Sequence, residues 1–174
     1  MQLREYQEKG IIALSHKIAE GSKKLVFQLS TGGGKTIIFS SICNRYIKKN
    51  DKSVLILVHR KELLQQARRT IYNTFNISAQ PIVAGMRVVP KAKVYIGMVE
   101  STIKRLNLIS NIGMVIIDEA HIHTLNKVHS FFPNEIIIGF TATPLSSNKA
   151  TPMNKYYEDI ICGIDVPELI SMGH

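Results

Sequence analysis

Leu29-Ser30-Thr31-Gly32-Gly33-Gly34-Lys35-Thr36 decides how the chain is read, because it follows the apolar run Lys24-Leu25-Val26-Phe27-Gln28. A β-branched and aromatic run that stops at glycines and continues G-K-T is the strand, loop and helix start of a phosphate-binding loop. Gly32, Gly33 and Gly34 carry no Cβ, so their backbone N–H groups can close around phosphate oxygens. Lys35 brings a positive charge to the β and γ phosphates, and the Thr36 hydroxyl can join a Mg²⁺ shell. The helix that begins here turns the positive end of its dipole toward the same anion. One position departs from the strict pattern G-x-x-x-x-G-K-[S/T]: Leu29 stands where glycine is expected. A merely Gly-rich turn is the alternative this stretch leaves open on its own.

Outward from the loop, the 174 residues suffice for one domain with a sizeable core. Hydrophobic content of 45% and charged content of 20% suit a soluble globular chain. No apolar run approaches the roughly 20 residues that span a bilayer, and the N-terminus has no signal-peptide pattern. Cys43 and Cys162 have no C-x-x-C partner and read as buried free thiols in a reducing cytosol. The net charge of +9 is uneven. Residues 1–105 hold 19 of the 22 Lys and Arg but 6 of the 13 Asp and Glu, so the acids concentrate afterwards. A basic N-terminal two-thirds suits a polyanion partner such as nucleic acid, though a lysine-rich solvated face has the same composition.

Apolar periodicity predicts helices over 4–20, 36–49, 61–75 and 99–106. Strands are predicted over 24–29, 53–59, 80–84, 93–98, 114–118 and 135–141. Ser53-Val54-Leu55-Ile56-Leu57-Val58-His59 is apolar without alternation, the pattern of a strand buried on both faces. Strands alternating with helices imply an α/β fold with a central, mostly parallel sheet flanked by helices.

Met114-Val115-Ile116-Ile117-Asp118-Glu119-Ala120-His121 is the second decisive stretch. It delivers two adjacent carboxylates to the carboxyl end of a strand, where open α/β sheets bind ligands. Asp118 can hold the Mg²⁺ shell opposite Thr36, and Glu119 can polarise an attacking water. His121, His123 and His129 lack an accompanying cysteine and are not read as a zinc site.

D-E-A-H after S-T-G-G-G-K-T resembles the first motor domain of a superfamily 2 helicase or translocase. Other segments agree. Leu3-Arg4-Glu5-Tyr6-Gln7 is similar to the family's L-R-x-Y-Q element, whose glutamine reads adenine; this implies nucleotide contacts at Arg4, Gln7 and Thr31. Val58-His59-Arg60-Lys61-Glu62-Leu63-Leu64-Gln65-Gln66 and Ile96-Gly97-Met98-Val99-Glu100-Ser101-Thr102 resemble backbone-contacting segments, implying nucleic-acid contacts at His59, Arg60 and Thr102. Gly139-Phe140-Thr141-Ala142-Thr143-Pro144 matches the element that couples ATP state to nucleic-acid grip, implying a coupling role for His121, Thr141 and Thr143.

The resemblance implies a RecA-like P-loop NTPase domain over 1–174, catalytic Lys35, Asp118 and Glu119, and ATP and Mg²⁺ as cofactors. It places the strand ending in T-A-T between the P-loop strand and the D-E-A-H strand. The Arg60 segment and the L-R-x-Y-Q element point to the restriction, repair and phage branch, whereas Asp in place of His121 would favour the RNA-specific branch. The resemblance hence implies DNA more than RNA, and the cytoplasm of a bacterium or phage-infected cell. Nothing after Thr143 resembles a second motor domain, which would supply an arginine finger in cis or in trans. Residues 156–163 read as an exit toward it. Two rivals stay open: a different P-loop NTPase such as a small kinase, and a non-catalytic module that binds nucleic acid or a partner.

Overall fold

The computed structural model describes residues 3–120, 126–143 and 155–163. In chain order the elements are α1 (Glu5–Ala19), β1 (Lys24–Gln28), α2 (Lys35–Lys49), β2 (Ser53–Val58), α3 (Lys61–Phe75), β3 (Gln80–Ile82), β4 (Val94–Met98) and α4 (Val99–Ile103). A short 3-10 helix (Leu106–Leu108) leads to β5 (Ile112–Asp118), α5 (Asn126–Phe131), β6 (Ile136–Thr141) and β7 (Asp159–Cys162).

The strands form one seven-stranded parallel sheet in the order β3-β4-β2-β5-β6-β1-β7. The three central strands, β2, β5 and β6, are the longest, and β2 and β5 are buried at every residue. That burial follows from helices covering both faces, as a parallel sheet requires. Alternate side chains feed two cores. Leu25, Phe27, Ile56, Ile116 and Phe140 pack under α1, α2 and α3. Val26, Leu55, Val115, Ile117 and Ile137 pack with Val128, Phe132 and Tyr157 on the other face. Pro81 sits in β3 at the sheet edge, where its missing N–H leaves no inner ladder bond unmade.

The expected order holds: β6, ending in T-A-T, lies between the D-E-A-H strand β5 and the P-loop strand β1. Residues 159–162, within the segment read as an exit, form β7 and pair with β1 from Leu25↔Asp159 to Gln28↔Cys162. One local expectation is corrected: Cys162 is exposed on that edge strand, whereas Cys43 is buried as expected. Among the described residues no helix is long and apolar enough to cross a membrane.

Candidate nucleotide site and nucleic-acid edge

At the carboxyl edge of the sheet, register sets the site. Asp118 pairs with Phe140, and Gln28 pairs with Thr141, so β5, β6 and β1 end side by side. The Leu29 N–H then donates to the Thr141 carbonyl at 2.9 Å, holding the start of the P-loop to the end of β6. From there the loop turns on glycine. Gly32 and Gly34 have φ of +86° and +81°, a left-handed backbone that side chains resist. Gly34 is the N-cap of α2, so the N–H groups of Lys35 and Thr36 open the helix at the loop.

The loop is braced from α1. Gly10 lies so close to β1 that a Cβ there would reach 2.5 Å from the tip of Phe27, which lets α1 settle onto the strand. This brings Tyr6 and Gln7 over the loop. The Tyr6 hydroxyl donates to the Gly33 carbonyl at 3.0 Å, and Gln7 Nε2 donates to the same oxygen at 3.2 Å. Gln7 Oε1 accepts from the Arg4 N–H at 3.0 Å, and Gln7 is buried. The amide expected to read adenine is thus engaged by the loop and by its own helix start. Arg4 and Thr31 are exposed at the rim.

Opposite the loop, Lys35 Nζ lies 3.2 Å from Glu119 Oε1, so the structure brings two predicted catalytic residues into direct contact. Asp118 is buried at the end of β5, and its Oδ1 accepts from the Glu119 N–H at 3.1 Å. Glu119 has φ +54°, a left-handed conformation that costs a non-glycine residue roughly 1–3 kcal/mol. Thr141 is fully buried; its hydroxyl donates to the Thr143 carbonyl at 2.8 Å and accepts from the Thr143 N–H at 3.1 Å. That closed turn fixes the T-A-T element beside the carboxylates. His121 lies outside the described residues. Among those described, no group of three or more His, Cys, Asp or Glu could hold a metal by itself. The donor set of Thr36 and Asp118 instead suits Mg²⁺, which takes few protein oxygens and fills its shell from phosphates and water.

Along the same edge, β2 and β4 carry the other predicted contacts. Val58 pairs with Met98, so His59-Arg60 and the start of α4 leave the sheet together, across β5 and β6 from the P-loop. Arg60 is exposed at the N-cap of α3, and His59 is half-buried. An open groove of about 760 Å³ continues along α3, lined by Ile37, Lys61, Gln65 and Arg69 among others. Thr102 does not share this exposure. It is fully buried, and its hydroxyl sits over Gly97 with no hydrogen-bond partner, so direct contact with a nucleic acid is closed to it here.

Residues 1–146 match the family model described as type III restriction enzyme, res subunit. The chain belongs to that family. It is 36% identical over 161 residues to IRC3 of Saccharomyces cerevisiae, named as an ATP-dependent helicase; the match covers 81% of this chain and 23% of that protein. The helicase domain of Pyrococcus furiosus Hef superposes with a TM-score of 0.78 at 22% identity, covering 98% of this chain and 40% of that one. A nuclease-deleted type ISP restriction-modification enzyme, LlaGI, solved with a DNA substrate mimic, gives 0.76 at 21% identity, covering 99% and 21%. The chain spans about a quarter of the length of the curated relatives it matches.

The fold is thus the first RecA-like domain of a superfamily 2 helicase, a family of ATP-dependent motors. Within this member, sequence reasoning missed three contributors. Tyr6 braces the loop, and its aromatic hydroxyl next to the expected glutamine is the available signal. The left-handed backbone of Glu119 has no sequence signature, since glutamate gives no hint of positive φ. Leu29 was visible only as a departure from pattern.

Proposed function

We propose that this chain is the ATP- and nucleic-acid-binding half of a DNA helicase or translocase, hydrolysing ATP when a second RecA-like domain closes the cleft, in cis or in trans. The observation that carries the proposal is the Lys35–Glu119 contact at 3.2 Å, which joins the phosphate-binding loop to the carboxylate of the D-E-A-H strand. Lys35 would exchange Glu119 for nucleotide phosphate, and Glu119, so released, would orient the attacking water as general base. Thr36 and Asp118 would hold Mg²⁺, which when bound offsets charge on the phosphates. Thr141 and Thr143, with His121, would report nucleotide state to the rest of the edge. His59 and Arg60 would grip the nucleic-acid backbone through charge rather than sequence. The type ISP relative's complex with a DNA mimic favours DNA, and the site of action would be the cytoplasm of a bacterial or phage-infected cell.

Titration with fluorescent ATP and GTP analogues tests the reading. Lys35→Ala should abolish most binding, because the phosphates lose their cation. Unchanged affinity would remove the nucleotide site altogether. An ATP preference that disappears in Gln7→Ala assigns base reading to that amide; equal loss for both nucleotides assigns it only the loop brace.

A further inference from the structure

The departure from the P-loop pattern has a structural role. The Leu29 side chain is buried and lies against the Cα of Gly33: a Cβ added at Gly33 would stand 2.7 Å from Leu29 Cγ and 3.0 Å from both δ carbons. On the other side, a Cβ added at Gly163, just past β7, would stand 2.7 Å from Leu29 Cδ1. The side chain therefore occupies a slot between the loop and the end of the outermost strand. It has little room to withdraw, because the Gly163 N–H donates to the Gln28 carbonyl at 2.8 Å and ties that second wall to β1. Gly33 is meanwhile pulled toward α1 by Tyr6 and Gln7 through its carbonyl. The loop is clamped between polar contacts to its carbonyl and one apolar contact to its Cα.

We propose that Leu29 is a positioning residue for nucleotide binding, its side chain holding the P-loop backbone at Gly33 against the end of β7. The proposal rests on the nucleotide site described above. Leu29 does not touch phosphate; it sets where the loop N–H groups stand. A loop displaced by even a fraction of an ångström aims those donors poorly. Gly33 is the complementary half of the device. Its backbone does not need glycine for φ, since only Gly32 and Gly34 in the loop have positive φ. It needs glycine for the room that Leu29 fills.

The test is the affinity of the 174-residue chain for a fluorescent ADP analogue with Mg²⁺, which avoids any effect of turnover. Leu29→Ala should weaken binding about tenfold, or about 1.4 kcal/mol. Gly33→Ala should weaken it similarly by pushing on Leu29. The double variant Leu29→Ala/Gly33→Ala should recover to within about threefold of the unsubstituted chain, since the new methyl enters the vacated volume. Leu55→Val, in β2 and away from the loop, should lower the melting temperature while leaving ADP affinity unchanged. If Leu29→Ala does not fold, Leu29→Val carries the test, with a loss of about threefold expected. Full affinity in the Leu29 variants, or strictly additive losses in the double variant, would overturn the proposal while Lys35→Ala still loses binding. If Lys35→Ala binds as well as the unsubstituted chain, it is the nucleotide site itself that fails.

Discussion

The two halves of one sheet edge are built to different tolerances. Over β5, β6 and β1, the candidate groups hold one another: Lys35 meets Glu119, Glu119 meets Asp118, Thr141 meets Thr143, and the loop is gripped by Tyr6, Gln7 and Leu29. Over β2 and β4, the candidate groups range from open to solvent, like Arg60 and the outer face of α3, through the half-buried His59 to the sealed Thr102. Phosphoryl transfer needs donors fixed where charge develops, and little covalent help beyond that. Holding a polyanion of any sequence needs positive charge at the right spacing, and mobile side chains supply it. The difference in construction matches the difference between the two proposed roles.

The largest expected effect lies on the fixed half. Three of the described arginines are held within this domain: Arg45 by Glu8, Arg68 by the Ala79 carbonyl and Arg105 by the carbonyls of Ser101 and Met86. An arginine finger from a second motor domain should raise ATP turnover by about 10³- to 10⁵-fold. Within that completed enzyme, Glu119→Gln should lower turnover by about 10²- to 10⁴-fold while sparing ATP binding. Steady-state hydrolysis with and without DNA reads both. Brisk turnover by the 174-residue chain alone would place all the catalytic charge in this half.

On the open half the effect should be smaller and uniform. Arg60→Ala should weaken binding to all DNA sequences alike and reduce the slope of log affinity against log salt by about one. Fluorescence anisotropy over a salt series measures it. A sequence-selective loss would show that this half is as closely specified as the other.

The smallest effect lies beneath both. His129, in α5, is pushed down to about 4 by burial and, second, by the Lys24 charge, and its Nε2 has no hydrogen-bond partner. Its ring packs edge-on to Tyr157 at 5.0 Å. A histidine held neutral when folded but titrating near 6.5 when unfolded contributes stability that is present above that value. The contribution is lost as pH falls toward 4, because the unfolded chain then binds the extra proton. Allowing for solvent at the part-exposed ring, the loss should be on the order of 1–2 kcal/mol. His129→Phe should flatten the fall in melting temperature between pH 7 and pH 5. An unchanged fall would place the acid sensitivity elsewhere.

Sequence legibility followed burial. β2 and β5 are unbroken apolar runs because they are covered on both faces, so their parallel placement could be read directly. The G-K-T and D-E residues could be read because phosphate and metal chemistry admits few substitutes. β7 could not, since its four residues lie on an edge and bury only Ile161. Thr102 looked like a surface contact because spacing along a chain says nothing of the notch that Gly97 leaves for its hydroxyl. Leu29 was legible as an anomaly, but its reason depends on Gly163, which a linear reading does not bring near the loop.

The strand order also sets a timetable. β4 and β5 each pair with β2 within residues 53–118, and the three can assemble from chain already made. β1, although first in the sequence, has as its sheet neighbours only β6, through Lys24↔Ile137, and β7, through Leu25↔Asp159. Such distant closures are slow and come after local ones. During synthesis from the N-terminus, the strand that carries the P-loop waits with its ladder groups unsatisfied until nearly the whole domain has emerged. Pulse-labelled hydrogen exchange during refolding should show β2, β4 and β5 protected before β1, and the reverse order would refute this sequence of events. On this timetable the proposed nucleotide site is complete only in a domain that has finished folding.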